Sequence, residues 1–179
     1  MPLILEDKSY IDENKELHIE GISIMDPNIC SAILCNYSKL KEDSYDKFNG
    51  DTYYLIKDFE DIVDKALESY PLYMRLLQYK IDGKQNIEIQ NLLEEEFGIK
   101  HSLEYISSLW RNKIPKIIAQ RAQDEFIIWH YKINKIPLKR CSRCGQMKPA
   151  HNNFFSKNKT SKDSFYSICK TCRNKKKES

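Results

Sequence analysis

Two closely spaced cysteine pairs near the C-terminus constrain this chain more than any other feature. Each CxxC spacing lets two sulfurs from one tight turn reach the same ion, and four thiolates close a tetrahedral structural zinc site. The 24 residues between the pairs are enough for a β-hairpin but not for a second hydrophobic core. Disulfides are the alternative, but no secretory signal is expected at the N-terminus. We therefore predict one structural Zn²⁺ held by Cys141, Cys144, Cys169 and Cys172.

Charge is distributed unevenly along the sequence. Residues 1–83 carry 9 Lys/Arg against 17 Asp/Glu, residues 84–134 carry 7 of each, and residues 135–179 carry 13 against 2. A strongly basic segment indicates a polyanionic partner, most simply nucleic acid. The acidic N-terminal part would instead contact another protein or the basic tail. No apolar run approaches the roughly 20 residues that span a bilayer, so we expect no membrane association and a cytoplasmic location.

Apolar periodicity predicts a mainly α-helical chain with a short β segment near its N-terminus. Residues 17–22 alternate apolar and polar side chains, as a half-buried strand does. Asp26-Pro27 offers the start of a helix through about residue 40, and a polar, turn-rich link follows. Cys30 and Cys35 lie in this helix, and we expect both to be small buried hydrophobes.

Helical spacing resumes at Asp58, and Pro71 divides it into two helices, the second ending near Gly83. Pro115 is expected to begin a further helix with a broad apolar face. The predicted divisions are an acidic α/β segment over 1–57, a helical domain over 58–134 and a zinc finger over 138–176.

Residues 86–113 show the outline of a helix-turn-helix. Asn86 is a candidate N-cap, Gly98 ends the first helix in a left-handed conformation, and Ser102 caps the second. In such a unit the second helix enters the major groove. Hydroxyl, Arg and Asn side chains suit phosphates and base edges, and the exposed stripe would comprise Ser102, Tyr105, Ser108, Arg111 and Asn112. An ordinary helical hairpin is the alternative, which Glu104 favours because it would lie close to the phosphates.

The two cysteine pairs sit in different local sequences. Gly145 directly follows the first pair, where a positive φ turns backbone amides toward the sulfurs. The second pair has no following glycine and runs into RNKKKES, which is compatible with a helix. A knuckle, a hairpin and a helix carrying the last ligands form a treble clef. The expected core of this small module is supplied by Phe154, Phe155, Phe165 and Tyr166.

The segment CSRCGQMKPAHNNFFSKNKTSKDSFYSICKTCRNKK resembles small treble-clef fingers found in bacteriophage proteins and beside HNH-type homing endonucleases. The shared pattern is a CxxC, a Lys-Pro, aromatics, a polar turn and then Cys-Lys-x-Cys-Arg. One departure is Ser164, where these fingers often have glycine, so we expect a less tight turn. The helical body also looks like phage-encoded helix-turn-helix proteins. The resemblance implies zinc ligation by the four cysteines, DNA binding, and a bacterial host cell as the location.

The basic residues of the module are the candidate phosphate contacts, because fixed cations over a small surface release counterions from DNA. They are Lys139, Arg140, Arg143, Lys148, Lys157, Lys159, Lys170 and Arg173. An HNH nuclease is a further alternative that would use His151. However, no histidine follows it to share a metal, so we predict no enzyme activity and a solvated or phosphate-contacting His151.

Together these features predict a zinc-dependent protein that binds double-stranded DNA and serves transcription regulation or another DNA-templated step in a phage or mobile element. The finger would grip phosphates, and helix 102–113 would read the major groove. The first alternative is an accessory factor that docks on a larger machine, such as an RNA polymerase or a DNA-packaging motor, through its acidic N-terminal part.

Overall fold

The computed structural model describes residues 8–11, 17–20, 23–46 and 50–174. The predicted strand is confirmed as β2 (Leu17–Glu20), which pairs antiparallel with β1 (Lys8–Ile11) in the register Lys8 to Glu20. Residues 21 and 22 of the predicted strand lie outside the described part of the chain.

The described chain is mainly helical with short antiparallel hairpins, as the sequence predicts. It folds as two compact units, one holding the described residues between 23 and 123, the other β1, β2 and residues 124–174. After β2 the elements are α1 (Pro27–Cys35), α2 (Tyr37–Asp46), α3 (Gly50–Leu67), α4 (Pro71–Ile81), α5 (Asn86–Phe97), α6 (Leu103–Ser108), a π-helical segment (Leu109–Lys113), α7 (Ile114–Ile133), β3 (Leu138–Arg140), β4 (Met147–Pro149), β5 (Phe155–Lys157), β6 (Phe165–Cys169) and α8 (Lys170–Asn174).

Helix α1 begins as predicted, because the Asp26 carboxylate accepts a hydrogen bond from the backbone amide of Asn28 at 2.8 Å. It ends earlier than predicted, at Cys35, where Asn36 interrupts the helix. Cys30 is buried and donates its thiol proton to the Ile24 carbonyl at 2.9 Å, and burial raises the pKa of this thiol to about 12. Cys35 is exposed, so its assignment to the core was wrong.

The polar link predicted after residue 40 is largely helical, since α2 continues to Asp46 and α3 begins at Gly50. The sequence did not reveal that α2 extends so far, because its apolar residues show little helical periodicity. Polar contacts with α3 hold the helix in place instead. Tyr37 on α2 donates its hydroxyl proton to the Glu60 carboxylate on α3. Lys41 contacts the same carboxylate oxygen at 2.7 Å. Tertiary pairing here outweighs the local turn signals.

Helix α5 starts and stops close to the predicted residues. Its N-cap is Gln85 rather than Asn86, and the Glu88 side chain accepts a hydrogen bond from the Gln85 amide at 2.8 Å in a capping box. Gly98 ends the helix with φ of 71°, and the Ser102 hydroxyl accepts from the Tyr105 amide at 3.1 Å, both as predicted.

Pro115 does not begin a separate helix, contrary to the prediction. The chain stays helical from α6 through the π-helical segment into α7. A proline inside an α-helix has no amide proton and its ring crowds the carbonyl four residues earlier. Here the widened turn, in which the Ile114 amide bonds the Leu109 carbonyl, precedes the proline and accommodates it.

The core of the first unit is built from aliphatic side chains on consecutive helices. Fully buried members are Phe59, Leu67, Leu76, Ile89, Leu93, Ile106, Ile114 and Ile118. Helix α4 contacts α5 and the π-helical segment, and α5 contacts α6, so four successive helical elements pack together. Within the described residues, every helix is too short or too polar to cross a bilayer.

Glu60 offers a test of the α2–α3 contact. Burial opposes ionisation, but hydrogen bonds from Lys41 and Tyr37 outweigh it and lower the pKa of Glu60. A carboxyl whose pKa is lower in the folded state stabilises the fold above about pH 4.5, and this contribution disappears as pH falls through the folded pKa. We expect Glu60→Gln to lower the free energy of unfolding at pH 7 by on the order of 0.5–1 kcal/mol, since water screens the half-exposed pair.

Urea unfolding of the wild type and Glu60→Gln at pH 7 and pH 3.5 measures this effect. The difference between the two proteins should shrink at the lower pH. Glu68→Gln, at an exposed position after α3, is the control and should unfold like the wild type at both pH values. An equal loss for Glu60→Gln at both pH values would contradict the assignment.

Candidate metal centre and nucleic-acid interface

The four C-terminal cysteines come together, and their sulfur atoms all lie within 4.8 Å of one another. Cys141 follows β3, Cys144 lies in the next turn, Cys169 ends β6, and Cys172 is in α8. Tetrahedral zinc with bonds of about 2.3 Å separates its sulfurs by about 3.8 Å, so the cluster needs only slight closure. The residues therefore fit a metal ion, which agrees with the prediction of one zinc site.

The first cysteine turn closes through backbone geometry. Gly145 adopts a φ of 72°, and its amide bonds the Cys141 carbonyl at 2.9 Å. The Cys141 amide in turn bonds the Gln146 carbonyl at 2.9 Å, which joins the ends of β3 and β4. Any side chain with a Cβ would be strained at that φ, which explains the glycine found by sequence reasoning.

Two further bonds join the first cysteine turn to the second half of the module. The Ser142 amide bonds the Ser167 carbonyl on β6 at 2.9 Å. The Arg143 guanidinium donates to the carbonyl of Cys172. These bonds hold the two cysteine pairs close together without any contribution from a metal ion. They are tertiary contacts that the sequence pattern could not reveal.

The thiols differ in their electrostatic environments. Backbone amides of Cys169, Cys144 and Arg143 point at the Cys141 sulfur, the first from 3.3 Å, and lower the pKa of Cys141 to about 6. Burial and the neighbouring thiols raise the pKa of Cys172 to about 12. Several thiolates cannot share so small a volume without a cation, and a bound metal supplies the compensating charge.

A very small apolar cluster supports the cysteines. Phe155 and Phe165 are buried beside Cys141 and Cys169, and Phe154 packs against them in part. Tyr166, which the sequence assigned to this core, is 43% exposed, so that prediction was wrong. Residues 165–169 form a strand, and strand side chains alternate between faces, so Phe165 and Tyr166 cannot both point inward.

His151 is buried rather than solvated, contrary to the prediction. Its Nδ1 accepts a hydrogen bond from the Asn153 amide at 3.2 Å. Its carbonyl accepts from the amides of Phe154 and Phe155. The residue therefore shapes the turn before β5. Nearby, the Tyr131 hydroxyl of α7 bonds the Ala150 carbonyl at 3.0 Å, which anchors this turn to the helix.

Asp163 is the main polar connection across the module. One carboxylate oxygen pairs with Lys139 on β3, and the other accepts from the Phe165 amide and the Ser161 hydroxyl, both at 3.2 Å. The Lys139 ammonium also lies 5.6 Å from the centre of the Phe155 ring. Lys139 therefore has a structural role that its basic character alone did not indicate.

The turn at residues 158–164 is tighter than we expected from the presence of Ser164 in it. Ser164 takes a φ of 62°, a left-handed conformation that glycine adopts without strain. The Asn158 amide bonds the Ser164 carbonyl at 2.7 Å, and the Ser164 amide bonds the Ser161 carbonyl at 3.0 Å. These bonds, together with the Asp163 contacts, hold the serine where glycine would be less strained.

The basic residues that we predicted to contact phosphates all lie on this module, but they differ in their exposure to solvent. Lys139, Lys148 and Lys170 are half-buried. The remainder are exposed, namely Arg140, Arg143, Lys157, Lys159 and Arg173. Two arginines already have protein partners: Arg143 bonds the Cys172 carbonyl, and the Arg173 guanidinium lies 4.8 Å from the centre of the Tyr166 ring. The sequence did not predict either contact.

The five residues predicted to contact DNA from the helical body are all exposed. They are Ser102, Tyr105, Ser108, Arg111 and Asn112. A shallow, open depression is lined by six residues of this region, namely Leu103, Glu104, Ser107, Ser108, Arg111 and Asn112. Arg111 and Asn112 lie in the π-helical segment, so their spacing from Ser108 differs from that on a regular α-helix. Glu104 lies in the same depression and makes it less cationic.

The chain matches no protein-family model, no curated protein and no solved structure. The case for its function therefore depends on the geometry of the cysteine cluster and on the charges around it.

Removing one sulfur tests the metal centre. We expect Cys169→Ser to lose equimolar zinc and to unfold the module, because the apolar cluster around Phe155 and Phe165 is too small to fold alone. Zinc content by atomic emission and thiolate-to-cobalt absorption after Co²⁺ substitution measure the result. Cys35→Ser, which changes an exposed thiol outside the cluster, is the matched control and should retain both signals. Equimolar tight zinc in Cys169→Ser would refute the four-thiolate site.

Proposed function

We propose that this chain is a zinc-dependent, non-enzymatic DNA-binding protein whose C-terminal module is a treble-clef finger. The proposal rests on one observation above all. Residues 135–174 contain ten Lys/Arg and a single acidic residue, Asp163, which is itself paired with Lys139. The other nine Lys/Arg lie in or just before a module whose two halves are joined at the cysteine cluster, so a folded scaffold carries this basic segment.

Fixed cations suit a polyanion better than flexible ones. Each phosphate neutralised by a lysine or arginine releases condensed counterions, which gives binding a steep dependence on salt. A metal-held scaffold also spends little entropy on ordering these side chains when it binds. Double-stranded DNA offers a dense and regular array of phosphates, and transcription regulation or another DNA-templated step in a phage or mobile element is the proposed setting.

The helical body supports sequence reading as a second part of the proposal. Helices α5 and α6 are joined by a turn with a left-handed glycine, and α4 packs against α5, which is compatible with a helix-turn-helix. The predicted reading stripe is exposed, and Arg111 and Asn112 offer bidentate contacts to guanine and adenine edges. The Glu104 carboxylate lies beside that stripe and would oppose the close approach of phosphates there.

A non-enzymatic role fits the position of His151. A general base must reach the proton that it abstracts, usually on a water molecule. His151 is only 2% exposed, and its Nδ1 accepts a backbone hydrogen bond. We therefore assign it to the turn before β5 and not to HNH-type hydrolysis.

Docking on a larger machine remains the second candidate, and acidic side chains on the first unit favour it. Asp61, Asp64 and Glu68 are exposed along and just after α3. Such a surface repels DNA and fits a basic protein partner. It is compatible with DNA binding by the finger, because the two charges lie on different units.

Neutralising exposed finger cations should reduce the salt dependence of DNA affinity. We expect the double variant Arg140→Gln/Lys159→Gln to bind random duplex DNA more weakly and to lower the slope of log K against log [salt] by about 2, since each phosphate contact contributes about 0.9. Fluorescence anisotropy at several salt concentrations measures the slope. Lys39→Gln/Lys65→Gln removes the same charge from exposed positions of the first unit and should leave the slope closer to that of the wild type. Equal slopes for all three proteins would argue against the finger as the phosphate-binding surface.

Truncating the proposed reading stripe should affect sequence preference more than general affinity. After a preferred duplex has been selected from a random library, Arg111→Ala/Asn112→Ala should lose about 1–3 kcal/mol of discrimination per base contact. Its affinity for random duplex should change much less. Asn91→Ala, at an exposed position on α5, is the control and should keep the discrimination. Unchanged discrimination in the double variant would refute the reading-helix assignment.

A further inference from the structure

Tyr166 lies on the outer face of the β5–β6 hairpin, and the metal module does not use it for packing. Phe165 and Cys169 on the same strand are buried, whereas Tyr166 and Ile168 are 43% and 37% exposed. Residues two apart on a strand share a face, so Tyr166 and Ile168 together form an outward apolar surface. The two side chains form a small apolar surface on a strongly cationic module.

One arginine lies against this aromatic surface, and a second is bonded to the residue that precedes it. The Arg173 guanidinium is 4.8 Å from the centre of the Tyr166 ring, a cation–π distance. The Arg143 guanidinium donates to the carbonyl of Cys172, the residue just before Arg173. Strand β6, helix α8 and the first cysteine turn therefore contribute one residue each to a single patch. We call Tyr166, Arg143 and Arg173 the aromatic-arginine patch.

The patch keeps its positive charge. Asp163 is the one acidic residue among residues 135–174, and its carboxylate is engaged by Lys139, Ser161 and the Phe165 amide. The guanidinium of Arg173 faces an aromatic ring instead of a carboxylate, and that of Arg143 faces a carbonyl. Both remain monocations that can still accept an anionic partner through their other N–H groups.

We propose that the aromatic-arginine patch binds one unpaired nucleotide of a nucleic acid, with the base stacked on the Tyr166 ring face that Arg173 does not cover and the adjoining phosphate held by Arg143 and Arg173. This inference rests on the proposed function and adds a substrate class to it. A base within a duplex has both faces covered by its neighbours, so the patch would select single-stranded segments or opened junctions. Ile168 would extend the apolar floor beneath the base, and stacking of this kind tolerates any base.

A comparison of two oligonucleotides isolates stacking from charge. One is an oligothymidylate of about twelve nucleotides, and the other has the same length and phosphates but abasic sites in place of bases. We expect the zinc-loaded wild type to bind the oligothymidylate about tenfold more tightly. Tyr166→Ala should reduce this ratio to near one, while Tyr166→Phe should keep most of it because the ring remains.

Control variants keep the result specific to the patch. Met147→Ala removes another exposed apolar side chain of the same module, at 54% exposure, and should leave the ratio unchanged. Zinc content is measured for each variant, so that loss of the fold is not mistaken for loss of stacking. An oligouridylate of equal length shows whether RNA or DNA gives the larger ratio, and a ratio that depends on Tyr166 with either strand supports the patch.

The outcomes separate this inference from the proposed function. If the wild type binds duplex DNA but shows no preference for bases over abasic sites, the patch assignment is overturned and DNA binding stands. A preference that persists in Tyr166→Ala also overturns the assignment, because the stacking would then lie elsewhere. If the protein binds neither duplex nor either oligonucleotide at low salt, the proposed function itself fails.

Discussion

The convergence of four thiols at one point is the constraint on which the C-terminal module depends. Its apolar cluster consists mainly of Phe155 and Phe165 with two cysteines, far less than the core of the helical unit. Cys141 has a lowered pKa and Cys172 a raised one, as expected where amide dipoles favour one thiolate and crowding opposes more. A divalent ion at the cluster would resolve this conflict, because its charge would stabilise several thiolates at once.

The same constraint controls the arrangement of charge. Because the cysteine turns are joined through Ser142 and Arg143 to β6 and α8, cations from distant parts of the sequence occupy one small folded surface. Lys139 is the exception, since it neutralises Asp163 and packs over Phe155. Lys139 thus stabilises the module, and the proposed function assigns the exposed cations to the partner. Zinc, folding and polyanion affinity are consequently linked properties in the proposed function.

The helical unit depends on a different principle, the burial of aliphatic side chains from successive helices. Its least regular feature is the π-helical segment, which lets the chain pass Pro115 without breaking. That widened turn carries Arg111 and Asn112 to the exposed side while Leu109 and Ile114 stay buried. The irregular backbone and the residues of the proposed reading helix therefore lie in the same segment. The acidic α3 surface lies on this unit as well, and the docking candidate assigns it to a basic protein partner.

The sequence by itself determined the elements whose signals are local. The metal ligands follow from cysteine spacing, the ends of α5 from Gly98 and Ser102, and the mainly helical class from periodicity. Only the tertiary structure decided which polar residues pair across long separations. It extended α2 through a contact with Glu60, buried His151, exposed Cys35 and turned Tyr166 outward. Composition cannot specify such outcomes, because each depends on which side of an element faces a neighbour that is distant in the sequence.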